Sequence, residues 1–242
     1  MFFSNCNLGC IFCQNYKISH EGFGKEISIE KLAQIFLKQQ NAGVHNLNLV
    51  SPTIYVPQII DALTIAKSQG LTIPVVYNSS GYERPETIKL LNGFIDIYMP
   101  DFKYIEDELG EKYSNVREYS KYAKMSILEM VDQVGEPEYK DGILQKGVVV
   151  RHLVLPNHIK NSMKALDWLK ENLDGKVIVS LMAQYFPTAK AFNTDLNRKL
   201  TLREYKKIED YLYSLNFTNG YSQELGRHEE EYVPDFNLSN IE

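Results

Sequence analysis

All three cysteines of this 242-residue chain fall in one short stretch, "CNLGCIFC", as Cys6, Cys10 and Cys13. A C-x3-C-x2-C triplet brings three thiolates into one loop. It supplies no fourth Cys to complete the four ligands an iron–sulfur cluster usually takes. Three ligands would leave one iron open to a group that is not protein, and chemistry would begin at that iron. Two other readings stand beside this one. A structural zinc site needs four ligands, and the fourth would have to be a distant His such as His20, His45 or His152. No pair of Cys or His residues has zinc-finger spacing. The third reading is buried, inert thiols, but dispersed cysteines would not leave the rest of the chain empty of them.

Something must hold such a loop in place. The length fits one domain of barrel size, and we expect a single domain over residues 1–242, with 217–242 as an irregular, acidic tail packed on it. Charged residues are 24% and hydrophobic residues 44%, ordinary for a soluble globular chain. The net charge is −5, with Lys and Arg spread out and no basic stripe to track a phosphate backbone, which argues against nucleic acid. No apolar run reaches membrane-span length, and the N-terminus lacks signal-peptide order, so the expected location is cytoplasmic. In a reducing compartment clustered cysteines bind metal or do redox work.

Short apolar runs alternate with amphipathic stretches. Phe2-Phe3-Ser4 reads as a strand stub, and 47–50, 72–77, 94–99, 147–155 and 176–183 as further strands. Helices are expected over about 29–42, from Val56 to near Gly70, from Pro85 through Leu91, and before Gly175. Thr201 and Glu204 form a capping-box pattern opening another helix. Residues 104–146 read as one or two helices and a turn near Gly135 and Pro137. About six strands with helices between them argue for βαβ units and a parallel sheet. The fold class is α/β, a partial (β/α)6 TIM-type barrel with parallel strands, open on one side.

Each strand runs out into a polar cluster: the Cys loop, then Ser51-Pro52-Thr53, Asn78-Ser79-Ser80-Gly81, Asp101 with Lys103, Pro156-Asn157, and Gln184-Tyr185. Working residues of such barrels gather at the C-terminal ends of the strands. Alternation along a strand puts Asn78 and Ser80 on one face, Asp101 and Lys103 on one face, and Arg151 opposite His152.

"CNLGCIFCQN" resembles the cluster-binding loop of the radical S-adenosylmethionine superfamily, with aromatic Phe12 before the third Cys. Asn15, two residues after it, matches an Asn common there. The segments "NLVSPT", "VYNSSGYE", "DIYMPDFKY", "VRHLVLPN" and "SLMAQYFPT" look like those of a branch similar to pyruvate formate-lyase activating enzyme. The resemblance implies a [4Fe–4S] cluster on Cys6, Cys10 and Cys13, with S-adenosylmethionine chelating the open iron. Reductive cleavage would give a 5′-deoxyadenosyl radical that abstracts a hydrogen atom from a substrate, with a glycyl-radical protein as one candidate. It implies a one-electron donor such as flavodoxin or ferredoxin. Gly9 would permit a tight wrap around the cluster, and Leu8, Ile11 and Phe12 would shield it.

The family's Gly-Gly-Glu motif after the second strand is replaced here by Ser51-Pro52-Thr53, which supplies no carboxylate. Ser51 and Thr53 are therefore candidates either for cofactor contacts or for a turn capping the next helix. Asn78 and Ser80 match the place of ribose or carboxylate contacts. Lys103 is a candidate for the methionine carboxylate, with Asp101 as its charge partner, or the two form an ordinary ion pair. Arg151 and Gln184 could reach cofactor or substrate. A metal-binding interaction module on a barrel scaffold, without cofactor cleavage, is the alternative function. Met1 falls almost on the first strand, where relatives carry a leader, so a fragment or short form is expected.

Overall fold

The computed structural model describes residues 1–225 together with residues 236 and 238. After a four-residue helix α1 (Tyr16–Ser19), strand and helix alternate as α2 (Ile29–Asn41), β1 (Leu47–Val50), α3 (Val56–Ser68), β2 (Val75–Ser79), α4 (Pro85–Leu90) and β3 (Ile97–Pro100). The chain continues through α5 (Asp107–Ser114), α6 (Tyr119–Val134), β4 (Glu138–Lys140), β5 (Ile143–Leu153), α7 (Ile159–Leu173), β6 (Ile178–Met182), α8 (Leu202–Ser214) and β7 (Gly220–Ser222).

The seven-stranded sheet has the order β1-β2-β3-β5-β6-β7, with β4 paired antiparallel to β5 and every other pairing parallel. It does not close, as a partial TIM-type barrel does not. The expected first strand is reduced to one parallel bridge, Phe2 to Val50. Strand β2 starts later than expected because Pro74 has no N–H to give the ladder. Its ladder instead runs on to Asn78 and Ser79, opposite Val50 and Pro100. Part of the expected irregular tail is β7, parallel to β6. The acidic segment "RHEEEYVPDFN" lies largely outside the described residues, though the Phe236 ring meets Phe2 edge-on with centroids 5.3 Å apart.

Two layers of side chains follow from strand alternation. Leu49, Tyr77, Tyr98, Val148, Val150 and Leu181 point outward into one large core shared with the helices, while Val76, Ile97, Val149 and Ile178 form a small apolar cluster inside the barrel. Two residues further along β2 and β5 the inward positions turn polar, at Asn78 and Arg151, and on β3 the change comes after Met99, at Asp101 just past the strand; that change of chemistry marks the floor of the site.

The capping box of α8 is present: the Thr201 hydroxyl accepts from Glu204 N at 3.2 Å, and Glu204 Oε2 accepts from Thr201 N at 3.1 Å. Thr201→Ala should lower stability by about 1 kcal/mol, read as a shift in denaturation midpoint at unchanged slope. No shift would mean that Arg198, which grips Glu204 at 2.7 and 2.8 Å, fixes this helix end unaided.

Candidate active site

The Cys loop lies across the C-terminal ends of the strands, held by parts of the chain far away in sequence. Gly9 N donates to Ser114 O at 2.8 Å and Ile11 N to Tyr113 O at 2.9 Å. Carbonyls at the C-terminal end of a helix lack partners within it, and these two at the end of α5 find theirs in the loop. Asn115, left-handed at φ 54°, ends the helix there. This close approach explains Gly9: a Cβ would stand 3.3 Å from Asn115 Cβ and 3.4 Å from Ser114 O. Its φ is not positive, so proximity to α5, rather than the expected freedom to wrap, selects glycine. On the other side Thr188 Oγ1 donates to Ile11 O at 2.5 Å, and Gln14 Nε2 to Gln184 O at 2.8 Å.

Cys10 is buried, with Cys6 and Cys13 partly so. Burial pushes the Cys10 thiol up to about 12, against the pull of Lys103 and Ser114, and raises Cys6 as well. Cys6 and Cys13 each add to the difficulty of ionising Cys10, so the three thiols share one region. Binding a metal deprotonates such groups outright. Among the described residues, no three Cys, His, Asp or Glu side chains gather as ligands of a single ion. Three sulfurs around one zinc would stand about 4 Å apart, whereas a cubane places its irons at separate corners. Among the described residues no His joins the three thiols as a fourth zinc ligand. His152 is fully buried on the opposite face from Arg151, with Nδ1 2.6 Å from Phe102 O and Nε2 2.9 Å from Ser162 Oγ.

Below the loop the inward residues form a charged network. Lys103 Nζ donates to Asp101 Oδ2, and Arg151 Nη2 lies 2.7 Å from Asp101 Oδ1 while donating to Asn78 Oδ1 at 2.7 Å. Asn78 Nδ2 donates onward to Asn48 Oδ1 at 3.3 Å. The Arg151–Asp101 pair is close without being aligned, so Asp101 Oδ1 and Arg151 Nε both lack hydrogen-bond partners among the described residues. Burial by itself would raise the Asp101 carboxyl, but Arg151 and Lys103 outweigh it and hold it below its ordinary value. Burial likewise opposes the Lys103 ammonium, and Asp101 reverses the balance. Two cations thus face one carboxylate, leaving a net positive charge among largely buried side chains with unused hydrogen-bonding capacity. Such a charge centre suits an anionic group.

The other expected residues divide. Ser80 Oγ donates to Asn7 Oδ1 at 3.1 Å, and Asn7 Nδ2 to Tyr82 O at 2.6 Å, so Ser80 ties the end of β2 to the Cys loop. Phe12 is buried with its edge against Tyr185, centroids 5.8 Å apart. Asn15 heads α1. Gln184 Oε1 accepts from Gln223 Nε2 at 3.3 Å, beside the loop. Ser51 occupies the left-handed region at φ 58°, a conformation costing roughly 1–2 kcal/mol for a residue with a Cβ. Thr53 caps nothing: it begins a short turn before α3, and its hydroxyl donates to Glu83 Oε1 at 2.7 Å.

Ser51-Pro52-Thr53 carries no carboxylate of its own, and its Thr53 is met by Glu83. Glu83 comes from the loop after β2, is 3% exposed, accepts also from Tyr77 OH at 3.2 Å, and leaves Oε2 without a partner among the described residues. Burial lifts it from 4.5 to about 7 against those hydrogen bonds. It lies on the helix side of the sheet with Tyr77, so it braces the Ser51–Thr53 turn from behind. Sequence reasoning also missed Asn7, Ser114 and Tyr119. The buried Tyr119 hydroxyl lies 2.8 Å from Ser80 O and 2.9 Å from Asp101 O, and accepts from Lys103 N at 3.0 Å, joining the ends of β2 and β3. Gly81 admits that junction, since a Cβ would come within 2.0 Å of Asp101 O and its φ is +75°.

The family model of the radical SAM superfamily matches residues 1–169. The chain belongs to the radical SAM superfamily. With membership come a [4Fe–4S] cluster and S-adenosylmethionine as cofactors. The chain is 35% identical over 218 residues to the uncharacterized protein MJ0674 of Methanocaldococcus jannaschii, covering 86% of this chain and 59% of that protein. It thus spans little more than half the length of that relative. It is 23% identical to the pyruvate formate-lyase-activating enzyme of Clostridium pasteurianum, over 89% of this chain and 90% of that one. In fold it resembles Streptococcus suis SuiB bound to S-adenosylmethionine, with a TM-score of 0.64, 15% identity, and coverage of 99% of this chain and 53% of that one. Among the described residues no helix is long and apolar enough to cross a membrane.

Proposed function

We propose that this chain is a radical SAM enzyme that reductively cleaves S-adenosylmethionine and abstracts a hydrogen atom from a substrate presented at the open rim. A glycyl-radical protein is our candidate substrate, a reading supported by the resemblance to activating enzymes. When bound, the cluster and S-adenosylmethionine supply a one-electron cleavage that yields methionine and a 5′-deoxyadenosyl radical. The protein's part is to bind, orient and exclude water. Cys6, Cys10 and Cys13 would hold the cluster, and Phe12 would cover it. The observation that carries the reading is the excess of positive charge around Asp101 beneath the thiols: Lys103 and Arg151 would receive the methionine carboxylate there. Asn78 lies within reach of the same pocket. Ser80 and Gln184 would line its sides, Asn15 would hold the exit of the loop, and Ser51 would present backbone groups from its left-handed turn. The one-electron donor would be a small flavodoxin- or ferredoxin-type protein, and the enzyme would work in the cytoplasm.

Anaerobic reconstitution should load about four irons per chain, and a strong reductant with S-adenosylmethionine should then release 5′-deoxyadenosine. Cys10→Ala should lose both the cluster's visible absorption and the product while remaining folded. A folded wild-type protein that binds zinc and never cleaves the cofactor would instead favour a metal-binding interaction module.

A further inference from the structure

The Cys10 thiol has a partner that the sequence motif does not contain. Its Sγ lies 2.9 Å from Ser114 Oγ, and Ser114 Oγ lies 2.9 Å from Tyr104 OH. Ser114 and Tyr104 are both fully buried, so water does not compete for these groups. The backbone fixes the same register, because Gly9 N–H and Ile11 N–H bracket Cys10 on the carbonyls of Ser114 and Tyr113. The hydroxyl therefore stands opposite this sulfur by construction of the loop–helix contact.

We propose that Tyr104 and Ser114 form a two-step hydrogen-bond relay onto the Cys10 sulfur that sets the reduction potential of the cluster. The inference rests on the cluster reading above and concerns residues outside the Cys motif. A ligating thiolate can only accept. Ser114 O–H must then donate to Sγ, which leaves its oxygen to accept from Tyr104 O–H, so binding the cluster fixes the direction of both bonds. Chained hydrogen bonds polarise one another, and Tyr104 makes Ser114 the stronger donor. A bond to a cluster sulfur draws charge from the iron and eases its reduction, one of the levers that spread iron–sulfur potentials so widely. Ser114 and Tyr104 are positioning residues in this scheme, since neither reaches the reacting atoms.

The test is a redox titration of the reconstituted full chain, followed by electron paramagnetic resonance of the reduced cluster. In Ser114→Ala the midpoint should move negative enough that the reduced-to-oxidised ratio at a fixed potential falls about tenfold, which is 59 mV for a one-electron couple. Tyr104→Phe keeps the ring and should move the midpoint the same way by less. The double variant should match Ser114→Ala alone, because Tyr104 acts only through Ser114. If Ser114→Ala fails to fold, Tyr104→Phe decides. Variants that load a full cluster at wild-type potential overturn the relay while leaving the cluster reading intact. A wild-type chain that loads no four-iron cluster overturns both.

Discussion

Asp101→Asn should destabilise the protein by about 3–5 kcal/mol, the size expected when one partner is removed from a buried ion pair. Lys103 and Arg151 would be left facing each other with no carboxylate between them. Lys103→Met should cost less, because Arg151 still lies 2.7 Å from Asp101. The double variant should recover part of the Asp101→Asn loss, a coupling that a double-mutant cycle measures directly. The pH dependence has a definite sign. Asp101 is held below its ordinary value by Arg151 and Lys103, so its contribution is complete above the unfolded carboxyl value of about 3.9 and fades only as pH falls below that. S-adenosylmethionine affinity, read by calorimetry, should fall with Lys103→Met, which removes the excess positive charge and leaves Arg151 paired with Asp101. If Asp101→Asn unfolds within about 1 kcal/mol of wild type, the network is not the buried charge centre described above.

Glu83→Gln should do the reverse at neutral and higher pH. The folded protein raises Glu83 from 4.5 to about 7 by burial, so it binds a proton that the unfolded chain releases. Its contribution is whole below about pH 4.5 and is lost as pH climbs to about 7. Gln cannot ionise, and at pH 8 the variant should be more stable than wild type by about 2–3 kcal/mol. His152 slopes the other way: burial lowers it from 6.5 to about 4, so its contribution grows as pH rises through that window. The two slopes nearly cancel between about pH 4.5 and 6.5 in the wild type, and Glu83→Gln should uncover the rise due to His152. Denaturation midpoints across this range decide the matter; a variant with the wild-type profile would show that Glu83 is already solvated or ionised in the fold.

What could be read ahead of the structure, and what could not, follows from range. Strands such as Ile178–Met182 and the inner part of Ile143–Leu153 are runs of β-branched and apolar residues, and periodicity finds those. Glu138–Lys140 and Gly220–Ser222 have three residues each, nearly all exposed, so no apolar pattern announces them and only their neighbours make them strands. In the site, Asp101, Lys103 and Arg151 were accessible because strand alternation is a local rule. Ser114 was not, since it meets Cys10 across 104 residues from a segment whose Tyr, Lys and Glu carry no recognisable motif. Glu83 was hidden for a subtler reason. It meets Thr53 across 30 residues, from the next unit of the chain, and a motif read along the sequence counts only what is consecutive.

The open sheet has margins that a closed barrel would lack. Among the described residues, one side ends at the bridge between Phe2 and Val50 and the other at the three residues of β7. An exposed sheet edge is a template for adding another chain as an extra strand, and long flat edges are where proteins self-associate. Here the margins are so short that they offer almost no ladder to copy. Brevity at those two places lets the barrel leave a door ajar without turning its frame into a seed for aggregation.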